Sequence, residues 1–295
     1  MIHQPNWKEI EKKIAESSGT VVDVSVRESA IGGSINQSFM LKGPDKGYFV
    51  KLNQAHREDM FSAEYEALNE IQSTQTVRVP RPYCFGVVDN DAFIAMELLS
   101  IGGNDRAGAS RLGQELASMH RVTQSQFGWH RNNTIGSTLQ ENSWMEDWGQ
   151  FWLHRRLLIQ LALAAENGFG GSLQRRGDKL AEKTTQFFDH NPDASLLHGD
   201  LWSGNFSILK QGGPAIYDPA LYYGDRETDI AMSELFGGFS ADFYRVYHEV
   251  YPLNSGYSTR KILYNLYHIL NHLNLFGSSY LHQAEDMIER LLSEV

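Results

Sequence analysis

The sequence has little of what secreted or membrane-spanning proteins need. It contains one cysteine, Cys84, in 295 residues, so no intramolecular disulfide can form and a disulfide-stapled scaffold is excluded. Apolar runs such as "LLIQLALAA" are too short to span a bilayer, and the opening "MIHQPNWKEIEKK" lacks the apolar stretch of a signal peptide. We therefore expect a cytoplasmic protein that does not interact with membranes.

Basic residues are also scarce. The chain has 26 Lys and Arg against 36 Asp and Glu, a formal net charge of −10. With no basic surplus to neutralise phosphates, general affinity for nucleic acid is not expected. A small anionic ligand held at a local site remains possible.

Hydrophobic periodicity divides the chain into two parts. Before residue 100, strand patterns such as "VVDVSVRE", "SFML", "YFVKL", "YCFGVV" and "AFIAMELL" surround one helix, "HREDMFSAEYEALNEIQ". After the linker-like "SIGGND", helical patterns dominate, and only about 196–217 looks extended. The patterns predict an α+β chain with a small β-rich lobe, 1–99, and a larger, mostly helical lobe, 100–295.

The segment "HGDLWSGNF", His198–Phe206, carries the strongest chemical signal. Asp200 is followed five residues later by Asn205, and Asp218 lies thirteen residues further on, in "IYDPA". This spacing is typical of the catalytic and metal-binding loops of protein-kinase-like enzymes. Asp200 would accept the proton of an acceptor hydroxyl, while Asn205 and Asp218 would offer oxygen ligands to Mg²⁺. Alternatively, Asp200 only caps a loop and Asp218 only precedes a proline turn.

Two charged residues upstream favour the kinase interpretation. Lys51 stands late in the predicted strand "YFVKLN", where it could reach the phosphates of ATP. Glu64, on the following helix, could pair with it, although Glu58 and Glu66 compete for that role. Each residue alone would more often be a solvated surface charge.

Two backbone segments complete the predicted nucleotide site. In "IGGSINQS", glycines allow the backbone to approach phosphates and polar side chains add donors, which makes candidates of Gly32, Gly33, Ser34 and Asn36. At "MELL", where the predicted lobes join, the backbone of Glu97 and Leu99 could bind an adenine edge. No G-x-x-x-x-G-K-[ST] motif is present, so a P-loop fold is not supported.

The segment "YYGDRETDIAMSELF" adds two carboxylates that we interpret as structural. Asp229 opens a helix and could hold the backbone of the catalytic loop by hydrogen bonds. Asp225 could cap the same helix start.

The long motifs resemble the fructosamine kinase (ketosamine kinase) family. They include "HGDLWSGN", "YDPALYYGDRETDIAMSELFGGF", "LYHILNHLNLFG", "GGSINQSF" and "NTIGSTLQENSWMEDWGQFWLHRRL", and the resemblance covers nearly the whole chain. Aminoglycoside and choline phosphotransferases share only the H-G-D…N…D skeleton. The resemblance implies a protein-kinase-like two-lobed fold and MgATP-dependent phosphorylation of a ketoamine at O3 of the sugar, which destabilises the adduct and frees the amine.

The resemblance also implies roles for individual residues. Asp200 becomes the base, Asn205 and Asp218 hold Mg²⁺, and Lys51 with Glu64 orients the phosphates of ATP. The partners implied are ketoamines, and whether these are small free adducts or glycated protein lysines is left open by the resemblance. The preferred sugar (fructosamine, ribulosamine or erythrulosamine) and the oligomeric state stay open.

Two further residues are candidate substrate contacts. Trp202 offers a flat face next to the base on which a sugar could stack, although a packed core tryptophan is equally compatible with the sequence. His272 lies in "LNHLNLFG", on the substrate side in this family. The pair His268 and His272 has metal-ligand spacing, but without a third ligand we do not interpret it as a metal site.

Two other functions remain to be weighed against the kinase. A pseudokinase would lack the base or a metal ligand, yet all these positions are filled. A metal hydrolase built on His198, Asp200, Asp218 and Asp225 would not need the lysine or the Gly-rich loop. One departure from the family is Ser34, where many relatives carry a cysteine, so a redox switch at that position is absent here.

Overall fold

The computed structural model describes residues 4–30, 35–44, 46–103, 105 and 107–295. The helices are α1 Trp7–Ser18, α2 Glu58–Thr74, α3 Gly108–Met119, α4 Trp148–Trp152, α5 Leu158–Glu166, α6 Ser172–Lys183, α7 Glu227–Leu235, α8 Ala241–Val250, α9 Tyr257–Phe276 and α10 Leu281–Leu292. The strands are β1 Val26–Ser29, β2 Gln37–Lys42, β3 Gly47–Gln54, β4 Pro82–Val88, β5 Asp91–Glu97, β6 Thr123–Gln124, β7 Asn133–Ile135, β8 Thr138–Gln140, β9 Ala194–Leu197, β10 Phe206–Ile208, β11 Pro214–Ile216 and β12 Tyr222–Gly224.

The chain forms two compact units, each of which is discontinuous in sequence. The first is Met1–Gly108 with Ser207–Asp218, and the second is Ala109–Phe206 with Pro219–Val295. This division differs from the linear one at 99/100 predicted from composition. Within the described residues, none of the helices has the length and apolar character needed to cross a membrane.

An antiparallel sheet in the order β1-β2-β3-β5-β4 is the centre of the first unit. Tyr48, Val50 and Leu52 alternate along β3 and pack in one buried cluster with Ile10 and Ile14 of α1. The period-2 pattern of a strand and the helical spacing of α1 thus meet in one core. This packing fixes the direction in which Lys51, between Val50 and Leu52, must point.

The predicted strand "VVDVSVRE" is wrong in its first half, because β1 begins only at Val26. Val22 and Val24 pack against the core of the sheet while partly buried, but the hydrogen bonding to β2 starts with the N–H of Ser25, 2.9 Å from the carbonyl of Lys42. The alternation therefore reflects apolar contact and not strand pairing.

The distant segment 207–218 belongs to the first unit through backbone hydrogen bonds. Leu209 forms an antiparallel bridge with Ile101, and the N–H of Ile216 donates to the carbonyl of Arg78 at 3.0 Å. These contacts bring Asp218, at the end of the segment, into the unit that carries Lys51.

In the second unit, the short sheet β12-β9-β6 leads into the candidate catalytic loop. Strand β9 is buried throughout and ends at Leu197, directly before His198. Two buried side-chain amides hold the neighbouring segment 220–221. Gln140 donates to the carbonyl of Ala220 at 3.0 Å, and Asn133 donates to that of Leu221 at 2.7 Å. The backbone on either side of the loop is therefore fixed by hydrogen bonds.

Candidate active site

A buried lysine between two carboxylates forms the charged centre of the first unit. The Nζ of Lys51 lies 2.6 Å from Oε1 of Glu64 and 2.6 Å from Oδ1 of Asp218. The side chains of Lys51 and Glu64 are only 7% and 10% exposed, whereas that of Asp218 is 45% exposed. The structure thus brings together three residues named from the sequence, and it selects Glu64 over Glu58 and Glu66 as the partner of Lys51.

The charge of this lysine is maintained by its neighbours. Burial alone would lower the pKa of Lys51, but Asp218 and Glu64 raise it above its ordinary value, so the side chain stays protonated. Such a fixed cation can attract the oxygens of a phosphate chain. Oδ1 of Asp218 contacts Lys51, so Oδ2 of Asp218 is the carboxylate oxygen that could bind a metal ion.

Asp218 has an uncommon backbone conformation. Its φ is 60°, in the left-handed region that non-glycine residues rarely adopt. Aspartate tolerates this region better than most side chains, and residues held there are concentrated at functional sites. Apart from the proline that follows Asp218, no local sequence pattern indicates this conformation.

Of the candidates in the polar loop, the segment "IGGSINQS", Asn36 lies within the described residues. Its Oδ1 accepts a hydrogen bond from Nδ2 of Asn53 at 2.8 Å, and the same Nδ2 also donates to the carbonyl of Ile35 at 3.2 Å. The end of the loop is therefore attached to β3, two residues beyond Lys51. The candidates Gly32, Gly33 and Ser34 lie outside the described residues.

The segment proposed for adenine has its side chain and backbone committed differently. The carboxylate of Glu97 is ion-paired with Arg78, and the N–H of Glu97 donates to the carbonyl of Arg81 at 2.8 Å. By contrast, the backbone N–H of Leu99 donates to no residue in the described ranges. Any adenine contact here would therefore use backbone groups, as predicted, with Leu99 as the donor.

The catalytic-loop candidate is fixed by a carboxylate buried in α7. Asp229 accepts hydrogen bonds from the N–H of His198 at 2.7 Å and from that of Gly199 at 2.9 Å. Gly199 has a φ of 81°, and a Cβ there would lie 2.0 Å from the carbonyl oxygen of Ala220. Only glycine fits this position, which explains the middle letter of "HGD".

The loop then folds back so that Asp200 and Asn205 meet. Nδ2 of Asn205 donates to the carbonyl of Asp200 at 2.9 Å and to its Oδ2 at 3.2 Å. The amide nitrogen is thus committed, and the amide oxygen remains as a ligand for a hard cation. Gly204 lets the loop close, because a Cβ there would lie 2.3 Å from the ring of Trp202.

Sequence reasoning missed the residues that support Asp229. The Nε2 of His120 lies 3.2 Å from Oδ2 of Asp229, and its Nδ1 lies 2.7 Å from the hydroxyl of Tyr247. Burial lowers the pKa of His120, whereas the hydrogen bond from His120 keeps the pKa of Asp229 low in spite of burial. No local pattern could connect these residues, since they lie 109 and 127 positions apart.

The two candidate substrate residues share one aromatic neighbour. The ring of Phe236 is T-shaped against Trp202, at 6.3 Å between centroids, and stacked on His272, at 4.9 Å. His272 also meets the rings of Phe276 and Tyr280 edge-on. Trp202 is 37% exposed, so it is not the packed core residue that was the alternative.

A different trio has metal-ligand proximity but is already satisfied. Ligand atoms of His190, Asp225 and Glu227 lie within 4.8 Å of one another. However, His190 bonds Asp225 at 2.7 Å, and Arg260 contacts both carboxylate oxygens of Glu227, at 2.7 and 3.1 Å. Asp225 also accepts from the N–H of Glu227 at 3.0 Å, the capping contact predicted for it. This cluster is an ion-pair network at the start of α7.

Comparisons with known proteins place the chain among relatives over nearly its whole length. The fructosamine kinase family model matches residues 6–294. A probable ketoamine kinase of Synechocystis is 45% identical over 97% of both chains. The chloroplastic protein-ribulosamine 3-kinase of Arabidopsis thaliana is 38% identical over 94% of this chain and 85% of its own length.

Solved structures agree with the sequence comparisons. The crystal structure of a candidate fructosamine-3-kinase from Haemophilus somnus has a TM-score of 0.89, with 30% identity over 97% of both chains. The choline kinase LicA from Streptococcus pneumoniae has a TM-score of 0.68 over 97% of this chain and 99% of its own, at 17% identity. The latter likeness concerns the fold alone, and it confirms the predicted α+β, protein-kinase-like fold.

Proposed function

Because the chain belongs to the fructosamine kinase family, we propose that it transfers the γ-phosphoryl group of ATP to O3 of the sugar moiety of a ketoamine. The enzyme is a kinase, and its relatives include ketoamine and protein-ribulosamine kinases. The observation that carries the proposal is the buried Lys51 held between Glu64 and Asp218, an arrangement suited to a polyanionic substrate.

Asp200 is the proposed base. It would orient the sugar hydroxyl and accept its proton as the oxygen attacks phosphorus. Asn205 supports this role, since its amide nitrogen contacts Oδ2 of Asp200 and so restrains the carboxylate. Asp229 contributes indirectly, by holding the backbone of His198 and Gly199 in place.

The donor set fits Mg²⁺. Asn205 and Asp218 are the proposed ligands, through an amide oxygen and a carboxylate oxygen, which are the atom types that hard cations prefer. When bound, Mg²⁺ would neutralise charge on the β- and γ-phosphate oxygens of ATP. Lys51 would bind the α- and β-phosphates, and Glu64 would keep its ammonium group directed.

Two backbone segments are the proposed contacts for the phosphates and the adenine of ATP. We propose that the polar loop, with Gly32, Gly33, Ser34 and Asn36, covers the phosphates. The backbone of Glu97 and Leu99 would bind adenine, which agrees with the N–H of Leu99 having no donor contact in the described residues.

The aromatic cluster is the proposed sugar-binding surface. Trp202 follows the base by two residues and exposes part of its ring, and apolar ring faces suit the C–H faces of sugars. His272 lies on the same cluster through Phe236. We propose that free ketoamines and glycated lysines of proteins both present their sugar to this surface.

The test is an acceptor panel. Fructosamine, ribulosamine and erythrulosamine, each as a free amino-acid adduct and on a glycated protein, are incubated with ATP with and without Mg²⁺, and phosphorylated product is measured. We expect Mg²⁺-dependent turnover of at least one ketoamine and none of choline or kanamycin. Turnover of choline or an aminoglycoside without any ketoamine would overturn the substrate assignment, and binding without turnover would indicate a pseudokinase.

A further inference from the structure

A network of buried side-chain amides in the second unit reaches the backbone beside the candidate catalytic loop. Gln140 and Asn133 are both buried. The Nε2 of Gln140 donates to Oδ1 of Asn133 at 2.9 Å and to the carbonyl of Ala220 at 3.0 Å. Burial of amides costs free energy that their hydrogen bonds only offset, and apolar groups of the same shape would be about as stable. Stability alone therefore does not account for the network.

The orientation of each amide is fixed by a partner that can only accept. The main-chain carbonyl of Ala220 has no proton to donate, so it must face the nitrogen of Gln140. The carbonyl of Leu221 likewise accepts from Nδ2 of Asn133, which leaves Oδ1 of Asn133 to face Gln140. Neither amide can flip without bringing two oxygens into contact. The network thus specifies one arrangement of these groups.

Tyr267 on α9 completes the hydrogen bonding of Gln140. Its hydroxyl donates to Oε1 of Gln140 at 2.8 Å. Burial raises the pKa of Tyr267, and the negative charge of Asp200 raises it further, so the phenol keeps its proton and remains a donor. The nitrogen and the oxygen of the Gln140 amide are therefore both engaged.

A buried guanidinium holds the network from its other end. Asn142 donates to Oδ1 of Asn133 at 2.9 Å, and Arg156 donates to Oδ1 of Asn142 at 2.8 Å. Arg156 is fully buried, and its guanidinium lies over the rings of Tyr222, at 4.2 Å, and Phe151, at 4.7 Å. A charged donor strengthens the hydrogen bonds beyond it, so Asn133 is held from a second side.

Ala220 connects this network to the loop that carries Asp200. Its N–H donates to the carbonyl of His198 at 2.9 Å. Its carbonyl oxygen, which accepts from Gln140, lies so close to Gly199 that a Cβ there would be only 2.0 Å away. A shift of Ala220 would therefore move the two residues directly before Asp200. We propose that Gln140 is a positioning residue for Asp200 that acts through the backbone of Ala220, an inference that rests on the proposed role of Asp200 as the base.

The first experiment needs no substrate. Gln140→Met replaces the amide by an apolar side chain of similar length, and Thr184→Val is the matched control, a buried polar residue elsewhere in the same unit. Hydrogen exchange of the amides of His198 and Gly199 is measured in the full chain. Gln140→Met should speed this exchange by about fivefold or more, and Thr184→Val by less than about twofold. Unchanged exchange in Gln140→Met would overturn the proposal.

The second experiment is a double-mutant cycle with the base. Alone, Gln140→Met should lower kcat with a ketoamine by roughly 10- to 100-fold, because a small displacement of a catalytic group is costly. In the Asp200→Asn background the same change should lower kcat by less than about twofold, since the group on which it acts is absent. Equal reductions in the two backgrounds would show a general structural effect and would overturn the proposal.

Tyr267→Phe is a milder variant that covers the case in which Gln140→Met does not fold. It keeps the ring and removes the hydrogen bond to Oε1 of Gln140. It should speed the exchange of the same two amides and lower kcat, each by about two- to fivefold. An unmodified chain that turns over no ketoamine would refute the proposed function, whereas the exchange measurement would still decide the positioning. Exchange that neither variant alters would overturn the inference even if the kinase assignment holds.

Discussion

The two units hold their candidate functional residues in different ways. In the first, Lys51 is buried and its positive charge is balanced by the carboxylates of Glu64 and Asp218, each with an oxygen at 2.6 Å. In the second, Asp200 lies on a loop whose shape is set by backbone hydrogen bonds to Asp229. The first unit thus maintains the charge of Lys51, and the second fixes the position of the loop that carries Asp200.

This difference predicts how each region responds to losing a charge. Removing one partner of a buried ion pair leaves the other charge uncompensated, which is costly. Asp200 is held in a different way, because the amide nitrogen of Asn205 donates to both its backbone carbonyl and its Oδ2. Replacing Asp200 or Asp218 by asparagine should therefore separate effects on MgATP binding from effects on turnover.

The largest effect is expected for Asp200→Asn. It removes the proposed proton acceptor but keeps the shape of the loop, so MgATP binding should stay within about threefold. Turnover should fall by roughly 10²–10⁴, the usual contribution of a positioned general base. Calorimetric titration of MgATP and steady-state rates with a ketoamine measure the two quantities.

A matched control is Asp178→Asn, which changes an exposed aspartate on α6 and should alter neither quantity. If Asp200→Asn weakened MgATP binding as strongly as it reduced turnover, Asp200 would contribute to nucleotide binding, and the contrast between the units would fail.

A smaller but broader effect is expected for Asp218→Asn. This change removes both a proposed Mg²⁺ ligand and one of the two counter-charges of Lys51. Mg²⁺-dependent ATP affinity should fall by about 10- to 100-fold, and turnover should fall with it. Raising the Mg²⁺ concentration should recover part of the rate in Asp218→Asn and none in Asp200→Asn.

The same contrast shows what could be predicted from sequence. The order of Lys51, Glu64, Asp200, Asn205 and Asp218 along the chain was enough to name the chemistry, because a kinase site keeps these residue types at characteristic spacings. The strands β2 to β5 and the helix α2 were also predicted from their periodicity, whereas the short strands β6, β7, β8 and β12 were not. These features are local, and local patterns carry them.

The missed features depend on contacts between distant segments. The hairpin that carries Asp218 joins the first unit through the pairing of Ile101 with Leu209, which no composition shift announces. The support of Asp229 by His120 and Tyr247 and the joining of Trp202 to His272 through Phe236 are likewise tertiary. In each case the sequence analysis named residues at the site but not the contacts that join them to the rest of the fold.

The smallest effect concerns stability and separates the units by their response to acid. His268 on α9 is buried, and burial, with a smaller contribution from His272, lowers its pKa from 6.5 to about 3. In the first unit, by contrast, Lys51 stays protonated. Acid should therefore act on the second unit through a histidine that must take up a proton to become charged.

The direction of this pH effect on the free energy of unfolding follows from the linkage between folding and proton binding. Above pH 6.5 both folded and unfolded chains hold His268 neutral, so it has no effect on stability. Between pH 6.5 and about 3 only the unfolded chain binds the proton, and the free energy of unfolding should fall by about 1 kcal/mol per pH unit from this residue. His268→Leu should remove that part of the slope, measured by urea unfolding between pH 6.5 and 5. The control His154→Gln, at an exposed position in the same unit, should keep the original slope. Equal slopes in His268→Leu and the unmodified chain would show that the acid response originates elsewhere, and the contrast between the units would then be limited to their catalytic residues.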